Sequence, residues 1–152
     1  MADPDQTSIG GEPLLRFRDD EPFDEPAVTL DSFLASQADA NAVRLEAGDD
    51  ARALMPHLAQ LRLIEVSFPT YRDGRGYSAA RILREAGYAG ELRAAGDVLV
   101  DQIDFMRRSG FDSFAPETAI DPAALARALG RYAFRYQPAA DDAPPIWQRR
   151  HA

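Results

Sequence analysis

Two hydrophobic periods take turns along this chain. From Leu30 the apolar spacing is helical, with Asp31 or Ser32 placed as N-cap ahead of Phe33 and Leu34. Ala42-Val43-Arg44-Leu45-Glu46 then alternates as a strand does and closes on Gly48-Asp49-Asp50. Over 50–61, Ala53, Leu54, Leu58 and Leu61 recur at helical spacing. The unit repeats. Leu63-Ile64-Glu65-Val66-Ser67-Phe68 is a strand-forming run closed by Pro69. A polar glycine loop spans Tyr71 to Tyr77, and Ser78 caps a helix running to Gly87. Glu91-Leu92-Arg93-Ala94-Ala95 makes a third strand and Gly96-Asp97 turns the chain. Residues 98–108 are helical, with Val98, Ile103 and Met106 facing inward and Gly110 as the stop. Phe111-Asp112-Ser113-Phe114 is a fourth strand, and Asp121-Pro122 opens a helix through Leu125, Leu129 and Tyr132.

Four strand–helix pairs in succession predict an α/β domain with a parallel sheet of about four strands and right-handed crossovers. An open sheet is the expectation. The alternative is a (βα)4 arrangement curved like half of a TIM barrel, which needs a second copy over its open edges and so implies a homodimer. The expected organisation is a flexible acidic arm over 1–26, a single α/β domain over 27–137 and a proline-containing tail over 138–152. Within the arm, Leu14-Leu15-Arg16-Phe17 is apolar enough to add an edge strand. In either architecture the loops that follow the strands meet on one rim, where ligands of α/β proteins usually sit.

Composition narrows the chemistry. Residues are 45% hydrophobic, yet no apolar run approaches the roughly 20 residues that span a bilayer. The first fifteen residues lack a basic and an apolar region, so a cytoplasmic protein is expected. Most of the net charge of −8 lies in residues 1–31, where nine acidic side chains stand against Arg16 and Arg18. Without a basic stripe, neither nucleic acid nor an anionic membrane is an expected partner. The chain has no cysteine, which excludes disulfides, iron–sulfur ligation, thiolate zinc sites and a cysteine nucleophile. All seventeen basic residues are arginine, which removes Schiff-base chemistry and a P-loop lysine.

The rim collects Asp49 and Asp50, the loop Arg72-Asp73-Gly74-Arg75-Gly76-Tyr77-Ser78, and Asp97. Glycines let a backbone approach a ligand, helix N-termini favour anions, and arginine is a fork for planar oxyanions. Arg72, Asp73, Gly74, Arg75, Gly76, Tyr77, Ser78, Arg93 and Asp97 are therefore the candidate anion-binding set. The competing reading is a glycine turn whose arginines pair with Asp73, Asp97 and Glu91. Gly74 to Ala79 also fits G-x-G-x-x-A, with Asp97 about where a ribose-binding acid stands in dinucleotide folds, although Pro69 to Asp73 separate the first glycine from its strand. His57 reads as a helix-surface or partly buried side chain, and His151 falls in the tail. Asp97, Asp101 and Asp104 read as helix-start acids rather than magnesium ligands. Phe105, Phe111, Phe114, Tyr132, Phe134 and Tyr136 read as packing residues. Neither a metal nor a cofactor is expected.

The strings Phe68-Pro69-Thr70-Tyr71-Arg72-Asp73-Gly74-Arg75-Gly76-Tyr77-Ser78, Leu83-Arg84-Glu85, Gly90-Glu91-Leu92-Arg93-Ala94, Gly96-Asp97-Val98-Leu99, Gly110-Phe111-Asp112 and Tyr136-Gln137 are similar to a bacterial family, domain of unknown function 934. The resemblance runs from about Val43 to Arg150. It implies a role in sulfite reduction beside assimilatory sulfite reductase, which is the partner it suggests. Where the resemblance implies cysteine before Gly-Phe-Asp, this chain has Ser109, so no thiol acts there. With siroheme and iron–sulfur ligation left to the reductase, an accessory protein assisting assembly, stability or electron supply is expected. An oxyanion-binding protein or enzyme using the Asp73–Ser78 loop is the alternative.

Overall fold

The computed structural model describes residues 5–9, 12–23, 25–36 and 39–130. Its strands are β1 (Asp5–Ile9), β2 (Glu12–Arg16), β3 (Val28–Thr29), β4 (Ala42–Leu45), β5 (Leu63–Phe68), β6 (Glu91–Gly96) and β7 (Ser113–Pro116). The helices are α1 (Leu30–Ser36), α2 (Arg75–Glu85), α3 (Val100–Ser109) and α4 (Pro122–Gly130), with a 3-10 helix over Ala51–His57. The seven strands form one open sheet in the order β1-β2-β7-β6-β5-β4-β3. From β3 to β7 each strand pairs in parallel with the next, and β2 and β1 add an antiparallel hairpin beside β7.

Alternation along each strand divides this sheet into two unlike faces. Val43, Leu45, Ile64, Val66, Phe68, Leu92, Ala94 and Phe114 join one apolar core with Leu54, Ala80, Leu83, Ile103, Met106, Leu125 and Leu129. The 3-10 helix packs on α2, α2 on α3, and α3 on α4, so these helices lie side by side over that face. Consecutive strand order with helices on one face is the winding that right-handed crossovers produce when every step goes the same way. The opposite face carries Arg44, Glu65, Arg93, Ser113 and Arg16 as successive cross-strand neighbours. At its lower end Phe23 packs on Ala42 and Leu63.

The four expected parallel strands are present, and three more extend the sheet. Of the expected arm, Asp5–Ile9 and Glu12–Arg16 are strands and Leu14, Leu15, Arg16 and Phe23 are buried, because an apolar patch next to an open edge gains both hydrogen bonds and burial. The helix expected over 50–61 is a 3-10 helix. Its buried residues Ala51 and Leu54 stand three apart, and Pro56 removes an N–H donor inside it. The Thr29 hydroxyl, rather than Asp31 or Ser32, caps α1 by accepting the Ser32 N–H at 3.2 Å. Helix α2 begins at Arg75, so Ser78 is an exposed second-turn residue and not its cap. Residues 131–137, with Tyr132, Phe134 and Tyr136, and the tail over 138–152 with His151 lie outside the described residues.

Candidate functional site

At the C-terminal ends of β4 and β5 a cleft of about 300 Å³ opens between the 46–50 loop and the start of α2. Its floor is Leu45, Val66, Ser67 and Ala79. Glu46, Ala47, Gly48, Asp49 and Asp50 form one wall, and Arg75 and Gly76 form the other. The 46–50 loop is a closed turn. Asp49 donates its N–H to the Glu46 carbonyl at 3.0 Å and accepts the Glu46 N–H on its carboxylate at 2.8 Å, while Asp50 accepts the Arg52 N–H. Gly48 holds φ +93°, and Arg75 Nη1 stands 3.4 Å from where a side chain at Gly48 would begin. A larger residue at Gly48 is thus both conformationally strained and set against the arginine.

Arg75 is held by its neighbour. The Asp73 carboxylate accepts the Arg75 backbone N–H and Nε at 3.0 Å and Nη2 at 2.7 Å. Those bonds pull the Asp73 carboxyl down to about 2 and push the Arg75 guanidinium up. Gly74 caps α2 without a side-chain acceptor of its own. Gly76 is demanded by packing, since a Cβ there would run into the Phe68 ring. The two loop glycines therefore set a helix start and a close helix–strand contact. The dinucleotide reading fails on the same geometry, because Gly76 sits inside α2 and the carboxylate of Asp97 accepts the Tyr71 N–H at 2.8 Å.

The remaining members of the candidate set point elsewhere. Arg72 donates Nε to the Tyr71 hydroxyl and stacks over that ring at 5.2 Å. Tyr77 packs edge-on to Phe68 and against Phe105, and burial raises its pKa. Arg93 lies on the second sheet face, away from the loop. Its Nη2 meets Glu91 at 2.9 Å, its Nη1 lies 3.6 Å from Glu65, and its Nε donates to Ser113. Arg44 bonds Glu65 at 2.9 Å, and Arg16 bonds both Glu91 and Asp20 at 2.7 Å. This row, buried except at its Arg44 end, was the feature hidden in the sequence pattern. Arg44, Glu65 and Arg93 each sit between two apolar residues, and only the strand register reveals that they face one another. His57 ends the 3-10 helix with its ring edge against Phe33 at 5.1 Å. No three His, Cys, Asp or Glu side chains converge on a metal-sized space among the described residues.

The profile of a family described as bacterial proteins of unknown function, DUF934, matches residues 42–147. The chain belongs to DUF934. No curated protein and no solved structure matches it. Much of the DUF934 resemblance turns out to be architectural. The Arg84 guanidinium donates to the carbonyls of Gly110, Tyr88 and Gly90, and to Asp112. Asp112 also accepts the Leu92 N–H and Arg18. Gly110 closes α3 at φ +129°, Phe111 enters the core, and the buried Ser109 hydroxyl donates to the Phe105 carbonyl at 3.0 Å. The strings Leu83-Arg84-Glu85, Gly90-Glu91 and Gly110-Phe111-Asp112 thus tie the helix–strand connections of this DUF934 chain together at the end of the sheet opposite the cleft.

Proposed function

We propose that the chain is an accessory protein of assimilatory sulfite reduction, acting with sulfite reductase in its assembly, stability or electron supply. In this reading a small oxyanion occupies the rim cleft. The sulfite half of the reading rests on the family resemblance and on a cysteine-free chain that offers no thiolate for iron–sulfur or siroheme ligation. The oxyanion half is carried by one observation, the cleft in which Arg75 and the start of α2 converge at the strand ends. The expected test is calorimetry with sulfite, sulfate and phosphate, in which Arg75→Ala removes the heat. No heat with the unaltered chain sinks the oxyanion half.

A second observation favours partner binding. Tyr71, Leu99 and Phe105 are three of the five exposed large hydrophobic side chains among the described residues, with Phe105 51% exposed. Gln102 links the first two, donating to the Tyr71 carbonyl and accepting the Leu99 N–H. The guanidinium of Arg72 lies over Tyr71 and that of Arg108 over Phe105, an aromatic and arginine mixture typical of interface anchors. Co-purification with the cognate reductase at low salt, and loss of sulfite-dependent growth in cells lacking this chain, are the expected results. Phe105→Asp is expected to abolish co-purification while the chain stays folded. Normal growth together with no co-purification overturns the accessory role.

A further inference from the structure

The described helices cover only one face of the sheet. Leu30 and Phe33 of α1, Leu54 of the 3-10 helix, Leu83 of α2, Ile103 of α3 and Leu125 of α4 all join the same core. Parallel strands are found almost only where both faces of the sheet are covered. On the second face, Phe23 closes the lower end over Ala42 and Leu63. Toward the C-terminal strand ends lies a row of small side chains, Ser67 paired with Ala95 and Ala95 with Ala115. All three are partly exposed, and no described helix lies over them. Next to this row, three arginines share the two carboxylates of Glu65 and Glu91. Asp20 offsets the surplus at the Arg16 end, whereas at the other end Glu65 alone serves both Arg44 and Arg93. The second face is therefore a shallow trough of small residues beside a surplus of positive charge.

We propose that the chain's own C-terminal segment closes this face, with Ile146 and Trp147 seated on Ala95 and Ala115 and with Asp141 and Asp142 toward Arg44. The segment Asp141-Asp142-Ala143-Pro144-Pro145-Ile146-Trp147 supplies both the acid and the apolar bulk that the face lacks. Its consecutive prolines lower the entropy lost on docking. Reach is ample. An extended chain spans at most about 60 Å between Gly130 and Trp147, against about 15 Å for the three strand spacings from β2 to β5. The family profile runs to residue 147, so the domain that DUF934 defines includes this segment as well as the sheet. Tethering also favours it over a second copy, because a linked segment is present at an effective concentration on the order of millimolar.

Trp147 is the chain's only tryptophan, so its fluorescence reports the contact directly. In the full chain its emission is expected to lie to the blue of that of the urea-unfolded chain, with weaker quenching by acrylamide. Ala95→Arg fills the trough and is expected to return both readings to the unfolded values while far-UV circular dichroism stays native. Because the chain has no cysteine, a second measurement needs no bulky substitution. Ala95→Cys combined with Gln148→Cys is expected to close an intrachain disulfide on oxidation. Arg81→Cys, at an exposed position of α2, combined with Gln148→Cys is expected to remain reduced. Native emission equal to that of the unfolded chain, emission unmoved by Ala95→Arg, or equal disulfide yields at the two positions overturns the proposal. Loss of the blue shift on dilution, or a disulfide formed only between chains, also overturns it and assigns the face to a second copy.

Discussion

Leu92 and Glu91 are chain neighbours on β6, both almost wholly buried, and they face opposite sides of the sheet. Leu92 belongs to the core beneath α2 and α3 and is held by contacts that have no direction. Glu91 is 3% exposed and depends on two particular partners, Arg16 and Arg93. The same alternation therefore builds one face that fails in proportion to missing volume and another that fails when a charge loses its partner. Burial by itself does not tell which rule governs a residue in this sheet.

Single substitutions separate the two rules. Glu91→Ala takes from Arg16 and Arg93 the buried carboxylate they share, leaving the half-exposed Asp20 and the more distant Glu65, and is expected to cost about 3–5 kcal/mol in denaturant unfolding. Leu92→Ala leaves a cavity and is expected to cost about 2–5 kcal/mol. The informative variant is the double one. Arg16→Ala combined with Glu91→Ala should fall short of the summed single losses by about 1–3 kcal/mol, since the second deletion removes a charge that has already lost this buried partner. Strict additivity would mean that the two charges do not depend on each other.

The next largest effect is on acid stability. Burial alone would raise the Glu91 pKa, but hydrogen bonds from Arg16 and Ser113 and the charge of Arg93 outweigh it and hold the group below its ordinary value. Arg18 and Arg16 likewise hold Asp20 far below the carboxylate range. A carboxyl depressed in the folded state contributes stability that is present above its unfolded value and lost as pH falls toward the folded one. The urea midpoint should therefore drop below about pH 4. The drop should be shallower in Glu91→Gln and parallel to the unaltered chain in Leu92→Ala; identical profiles in all three would remove Glu91 from the acid response. The smallest effect is expected at the end of the row, where Arg44 is 44% exposed. Arg44→Ala should cost no more than about 1 kcal/mol.

The α/β architecture was legible because period-2 and period-3.6 patterns alternate cleanly between Ala42 and Leu129. What escaped the sequence has physical causes. A two-residue strand such as Val28–Thr29 has no period to detect, and β1 is a short polar segment whose pairing depends on an edge that only the folded sheet presents, whereas the apolar patch Leu14-Leu15 of β2 was legible as an added strand. The candidate site was half legible. Asp73, Arg75 and Gly76 do meet at the strand ends. Arg93, however, was joined to them by charge type alone, without the strand face that turns it away. Gly76 suggested ligand approach, whereas its neighbour is the Phe68 ring. Glu46, on the wall of the cleft, carried no signal beyond being the last residue of an alternating run.

The charged row also bears on how the sheet finds its pairing. Parallel strands are joined by long connections and meet late, when misalignment is easily trapped. A strand displaced by one residue turns Glu65 or Arg93 toward the apolar core, since every side chain changes face. Displacement by two can set Glu91 opposite Glu65, where the correct alignment sets Arg93. A sheet of valines and leucines would accept either error at little cost. In this chain the ion pairs hold the correct alignment of β5 and β6 and also make its near-miss alignments unfavourable.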